Sequence, residues 1–206
     1  MSKLVTIEFR EIDLPAQFAD AQANYFAQLL QVGCFGECNA TSSEVAATAA
    51  RLQARWSAAG KTVLLVNASS LDGVNNVLPS ASWDVAWVTV ACARDADFIA
   101  RFDQELGSVL EVLEQDTAIL ILATQPTRLW FVLASPERAF ASVQTPIQIG
   151  DLEVTLAELT GISTPEGVQG SSLFAQALPV DARADGYSAA DEAIVYERLA
   201  GLGYIG

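Results

Sequence analysis

The sequence predicts one α/β domain, a layered α/β/α arrangement around a mostly parallel central sheet. Three observations predict it. Short runs of β-forming residues recur at 5–9, 62–66, 85–92, 118–122 and 129–133. Segments with helical spacing of apolar residues separate most of them. Several of the runs are continuously apolar rather than alternating, which is the pattern of strands covered on both faces. A length of 206 residues suits a single domain, with residues 162–206 as a tail packing on the core. No internal repeat or low-complexity tract interrupts the chain.

The elements follow in order. Val5-Thr6-Ile7-Glu8-Phe9 alternates and is rich in β-formers, a strand ended by Pro15. Residues 16–32 place Phe18, Tyr25, Phe26, Leu29 and Leu30 near one helical face, with Gly33 as the stop. Cys34-Phe35-Gly36-Glu37-Cys38 reads as a glycine-containing loop. Thr41-Ser42-Ser43-Glu44 has the spacing of a capping box, opening an Ala-rich helix to Ala59 with Gly60 just beyond it.

Thr62 to Val66 is an apolar run of strand length, predicted to be buried on both faces. Residues 67–82, rich in Asn, Ser and Gly, read as a loop, and Val85 to Cys92 as another buried strand. Asp95 to Glu114 is amphipathic, with Phe98, Phe102, Leu106, Val109, Leu110 and Leu113 on one face. Two strands follow, Ala118 to Leu122 and Leu129 to Leu133. Asp151 is expected to cap a helix that runs to Leu159 and closes at Gly161. Residues 162–186 read as loop and 189–201 as a last helix.

Composition removes whole classes of chemistry. There is no histidine, which excludes Ser-His-Asp and Cys-His catalysis and His-containing zinc sites. The formal net charge is −14, from 11 basic and 25 acidic residues, and the basic residues are scattered. Nucleic acid and anionic membrane surfaces are therefore not expected partners. With 51% hydrophobic and 17% charged residues, the chain has ample apolar material for a folded core. No apolar run approaches the ~18–20 residues a bilayer span needs, and residues 1–10 lack the pattern of a signal peptide. An odd count of three cysteines suggests reduced thiols, so a cytoplasmic location is expected.

Two stretches carry a family resemblance. Residues 146–174, PIQIGDLEVTLAELTGISTPEGVQGSSLF, resemble a late segment of the sulfatase and phosphodiesterase branch of the alkaline-phosphatase superfamily. Asp151, Thr155, Leu156, Leu159, Gly161, Pro165, Gly167, Gln169, Gly170, Ser172 and Leu173 stand in that segment's order. The end, Glu197 to Ile205 (ERLAGLGYI), is similar to a closing common in that branch. More loosely, residues 101–122 and 50–66 resemble a helix–strand pair and an earlier helix of the family. The resemblance implies an alkaline-phosphatase-like core in shortened form.

It also implies where a site would stand. In the family the strand matching 118–122 runs into an Asp-His-Gly that binds metal. Here it runs into Ala123-Thr124-Gln125. A further family histidine has no counterpart. The family's nucleophile region falls near Cys38-Asn39-Ala40-Thr41-Ser42, which lacks the Pro and Arg of a sulfatase motif. Of the acids near the first strand, Glu8, Glu11 and Asp13 are the candidates for its metal-binding Asp. Two-metal ester hydrolysis needs metals to polarise the ester and activate the attacking group. The expectation is a non-catalytic relative with an interaction, structural or regulatory role. Thr41 and Ser42 are a vestigial nucleophile region and Ala123, Thr124 and Gln125 a vestigial metal region. No metal or cofactor is expected. The alternative is a divergent phosphate- or sulfate-ester hydrolase that clusters Glu8, Glu11 or Asp13 with Thr41 or Ser42 around a divalent cation. A third reading is a module that keeps a pocket for an anionic ligand. Homo-oligomerisation is expected, because shortening a large fold exposes apolar surface.

Other residues have plainer readings. Cys34 and Cys38 form a C-x3-C with no second pair to complete a metal site. Cys92 reads as a core residue. Asp72, Gly73, Asn75 and Asn76 lack the acids of a calcium loop. Asp95, Asp97 and Asp103 suit the positive end of a helix. Trp83, Trp87 and Trp130 read as core. The glycines of the Pro165–Gly170 turn are expected to serve backbone geometry.

Overall fold

Strand β1, Leu4–Arg10, runs through the interior of a seven-stranded sheet. The structure, a computed structural model, describes residues 3–10, 24–91, 98–141, 146–164 and 166–174. After β1 come α1 (Asn24–Val32), β2 (Cys34–Asn39), α2 (Ser42–Ala58), β3 (Val63–Ala68), α3 (Asp72–Val77) and β4 (Val85–Val90). Then follow α4 (Phe98–Val112), β5 (Ala118–Thr124), β6 (Leu129–Ala134), β7 (Ile147–Gln148) and α5 (Ile149–Thr160). The strand order is β3-β4-β1-β5-β6-β2-β7. Strands β3, β4, β1 and β5 are parallel, β6 is antiparallel to both its neighbours, and β7 is parallel to β2. The fold is thus the layered α/β class with a mostly parallel mixed sheet.

Alternation along each strand builds two cores. Val5, Ile7 and Phe9 of β1 pack with Phe26 of α1, Val74 of α3 and Phe98, Phe102 and Leu106 of α4. Leu4 faces the other way, with Val45, Leu52 and Trp56 of α2 and Leu152 and Leu156 of α5. The buried residues of α2, Val45, Thr48, Ala49, Leu52 and Trp56, recur at helical spacing. That single stripe explains why this Ala-rich segment is a helix lying on a sheet.

Four expectations change. The Cys34–Cys38 segment is strand β2, not a loop. It pairs antiparallel with β6 from Cys34↔Leu133 to Cys38↔Leu129, and this pairing overrides its weak propensity. Strand β3 is not covered on both faces. It lies at the sheet edge, with Leu65 58% exposed. Residues 67–82 are not all loop, because Asp72–Val77 forms α3. Asp151 sits inside the first turn of α5, not at its cap, where Gln148 stands.

Glu11, Asp13, Pro15, residues 16–23, Cys92, Asp95, Asp97, Pro165, residues 175–206 and the helix expected at 189–201 lie outside the described residues. Among the described residues no helix is long and apolar enough to cross a membrane.

Candidate functional site

An open α/β sheet offers ligands the crevice outside the carboxyl ends of its parallel strands. Here those ends carry Glu8 and Arg10 of β1, Asn67 of β3, Thr89 of β4 and Thr124 of β5. Glu8 shares the β1 face of Leu4, under α2, because side chains two apart point the same way. It is 6% exposed. The Trp87 indole donates to its Oε2 at 3.0 Å, and Arg10 Nε donates to its Oε1 at 3.0 Å. Burying a carboxylate is costly unless it is paired, and these two donors supply the pairing.

Beside Glu8 lies a cleft of about 210 Å³. Ala46, Ala49 and Ala50 of α2 form one wall, and their small side chains leave the space between helix and sheet unfilled. Gln53, Asn67 and Thr89 contribute neutral polar groups, with Arg10 and Glu8 as the charged pair. This chemistry suits a small polar group. It contains neither Thr41 nor Ser42 among the described residues lining it.

Thr41 and Ser42 stand instead at the start of α2. The Thr41 hydroxyl accepts from the Glu44 N–H at 3.3 Å and donates to Glu44 Oε2 at 2.7 Å. The Thr41 N–H donates to the same carboxylate oxygen at 2.7 Å, completing the capping box. These donors, the backbone N–H first, hold the Glu44 carboxyl below its usual range. A general base at neutral pH needs the opposite displacement. Ser42 Oγ donates to the Gln125 carbonyl at 3.1 Å. The expected nucleophile and metal regions therefore adjoin, through a hydrogen bond that closes the end of the sheet. Ala123 is fully buried, and the Thr124 hydroxyl donates to the Phe9 carbonyl at 3.2 Å.

Residues 146–164 hold β7 and α5, and residues 166–174 pass back along that helix. Asp151 Oδ2 accepts from the Gln148 N–H at 2.9 Å and its Oδ1 from the Ser171 N–H at 2.7 Å. One carboxylate thus caps the helix and ties the loop down. Thr155 Oγ1 accepts from the Leu173 N–H at 2.9 Å. Gly150 and Gly170 meet backbone to backbone. A Cβ on Gly170 would lie 2.3 Å from the Gly150 carbonyl carbon, so neither position admits a side chain without displacement. The segment ends on Phe174, which bridges to Phe140 with rings 5.2 Å apart.

The remaining candidates separate. Cys34 and Cys38 are free, buried and four residues apart on a strand, roughly 13 Å. That separation is too long for one metal ion or a disulfide. Burial pushes both thiols up to about 12, with Asp151 and Glu44 adding to the effect at Cys38. Asp72 and Asn76 lie within α3, where Asn76 Nδ2 donates to the Asp72 carbonyl at 3.3 Å. Asp103 Oδ1 accepts from the Phe26 N–H of α1 at 2.9 Å. Trp83 is a core residue whose indole donates to the Leu78 carbonyl at 2.9 Å, and Trp130 packs on Phe26. Trp87 is both core and cleft wall.

Two features escaped sequence reasoning. Trp87 reaches Glu8 across the sheet, and Arg51 of α2 grips the buried Glu153 of α5. Arg51 Nη2 stands 2.7 Å from Glu153 Oε2 and also donates to Thr48 Oγ1 at 2.9 Å. That bonding raises the Arg51 pKa further. A lone Glu in an otherwise apolar helix stripe was the available signal for Glu153. Among the described residues, no group of three or more His, Cys, Asp or Glu side chains is gathered to hold a metal ion. No protein-family model matches the chain, and no curated protein matches it in sequence.

Proposed function

We propose that this chain is a non-catalytic, shortened relative of the sulfatase and alkaline-phosphatase-like hydrolases, with an interaction, structural or regulatory role. The observation that carries the reading is the state of the strand ends. Glu8 is held by Trp87 and Arg10, Ser42 by Gln125, Thr124 by Phe9, and Thr41 by its capping box. Each of these four groups, which a hydrolase would spend on substrate or metal, is spent on the fold. The segment 146–174 supports the kinship, since Asp151, Thr155 and Gly170 have mechanical duties there that require no catalysis.

The reading includes a reducing, cytoplasmic setting, supported by the two free buried thiols. It excludes nucleic acid as a partner, supported by the net charge of −14.

The test is metal analysis of the purified protein together with p-nitrophenyl phosphate and p-nitrophenyl sulfate turnover in Mg²⁺, Ca²⁺, Mn²⁺ and Zn²⁺. The expected result is turnover at the buffer rate, unchanged by Glu8→Gln. Stoichiometric binding of divalent ions with turnover lost in Glu8→Gln would overturn the proposal in favour of a carboxylate-dependent hydrolase.

A further inference from the structure

Three neighbouring strands end on one polar row. Their pairing sets Asn67 of β3 beside Thr89 of β4, and Thr89 beside Glu8 of β1. Residues in register on adjacent strands share a face, here the face that carries α2. Arg10, two residues beyond Glu8, belongs to the same face. Gln53 of α2 adds a second amide to the cleft of about 210 Å³ above this row, and Ala50, Leu65 and Trp87 give it apolar walls. Much of the polar capacity here is unused. Glu8 accepts one bond on each oxygen, from Trp87 and from Arg10, both at 3.0 Å, whereas a carboxylate offers about four acceptor sites. Arg10 donates to Glu8 through Nε, which leaves the outer edge of its guanidinium for a bidentate partner. Among the described residues, the side chains of Gln53, Asn67 and Thr89 have no hydrogen-bond partner.

We propose that this cleft binds a free α-amino acid with a small side chain. Its lining holds one buried carboxylate and one guanidinium in contact, with two amides and a hydroxyl beside them. The charge complement of such a pair is a ligand that carries both signs. Because Glu8 and Arg10 touch, the two charges of the ligand must be adjacent as well. An α-amino acid meets that requirement, with its carboxylate on the outer edge of Arg10 and its ammonium on Glu8. A simple anion would face both Glu8 and the net charge of −14. A simple amine would set a second cation beside Arg10 with no anion to balance it. The size agrees. The cleft has room for roughly seven waters, less than the ~300–1,000 Å³ of sites for drug-sized ligands. The inference does not rest on the proposed loss of catalysis. Binding without turnover agrees with both, and ester turnover would overturn that reading alone.

The experiment is isothermal titration calorimetry of the full chain with glycine, L-alanine and L-serine, and with L-alaninamide, N-acetyl-L-alanine and γ-aminobutyrate. At least one of the three amino acids is expected to bind saturably. L-Alaninamide lacks the carboxylate and N-acetyl-L-alanine lacks the ammonium, so each should bind roughly tenfold or more weakly than L-alanine, the loss of one charge-assisted contact. γ-Aminobutyrate, whose charges stand apart, should be weakened likewise. Arg10→Gln removes the fork that holds the carboxylate and should abolish binding. Ala50→Leu, at an exposed position of α2, fills the cleft without touching either charge. Leucine is nearly as good a helix former as alanine, so binding should be lost with an unchanged circular-dichroism spectrum. Absence of binding by all three amino acids overturns the proposal. So does equal binding of L-alaninamide or N-acetyl-L-alanine, or amino-acid binding that survives Arg10→Gln or Ala50→Leu.

Discussion

The two faces of the sheet are closed by different mixtures of the same forces. On the α1, α3 and α4 face rings make most of the contact, and the α4 carboxylates Asp103 and Glu105 accept from the Phe26 and Leu71 N–H groups. Phe102 lies 5.1 Å from Phe9, 5.9 Å from Phe26 and 5.9 Å from Phe98, and Phe26 continues to Trp130 at 5.8 Å. On the α2 and α5 face, directional bonds supplement the apolar contact. Arg51 grips Glu153, the Trp56 indole donates to Thr160 at 2.8 Å, Arg55 reaches the Ser163 carbonyl at 3.0 Å, and Asp151 holds Ser171. Apolar contact fixes that a layer is covered, whereas hydrogen bonds fix which path a loop takes over it. The segment 146–174 and the Glu8 cleft both belong to the second face.

The largest expected effect sharpens the first half of the contrast. Phe102→Ala removes a ring that touches three others, and should cost about 3–5 kcal/mol in urea unfolding. A loss below about 1 kcal/mol would mean that this face is not held by its aromatic cluster.

A smaller effect tests the second half. Asp151→Ala leaves the Gln148 and Ser171 N–H groups without their acceptor, which should cost about 2 kcal/mol. The loss should be local as well as global, so protease cleavage within residues 166–172 should quicken. Global destabilisation with no change in cleavage there would show that Asp151 caps α5 without governing the loop.

The remaining test is a slope, with no effect at neutral pH. Cys34 and Cys38 on the polar face ionise near 12 when folded, against an ordinary value of 9.0. Above pH 9 the unfolded chain gives up thiol protons that the folded chain keeps. Stability is therefore insensitive to these groups below pH 9 and falls above it, by up to about 1.4 kcal/mol per pH unit for each thiol. Urea unfolding at stepped pH should give a steeper alkaline fall for the wild type than for a Cys34→Ala/Cys38→Ala variant. Equal slopes would show that the thiols reach solvent.

Much of this fold is legible in the residue pattern. The α2 capping box, the β1, β4, β5 and β6 strands and the amphipathic α4 all follow from local spacing and propensity. Strand β2 does not, since Cys-Phe-Gly-Glu-Cys-Asn has little preference for extension until β6 lies beside it. The edge position of β3 is equally invisible, because an apolar run reads the same at the centre of a sheet as at its margin. The longer reach of Asp103 and Asp151 is hidden for a related reason: Asp151 also holds Ser171, and Asp103 accepts from α1 across 77 positions of sequence.

By itself, the sequence determined the α/β class, the absence of imidazole chemistry and the acidic balance. All of these depend on composition or on spacing within one element. Only the tertiary structure decided that Glu8 is held by Trp87 and Arg10, that Arg51 and Glu153 join two helices, and that β3 ends the strand order. These depend on contacts between residues far apart in sequence, and strand order sets such contacts while local periodicity carries no record of it.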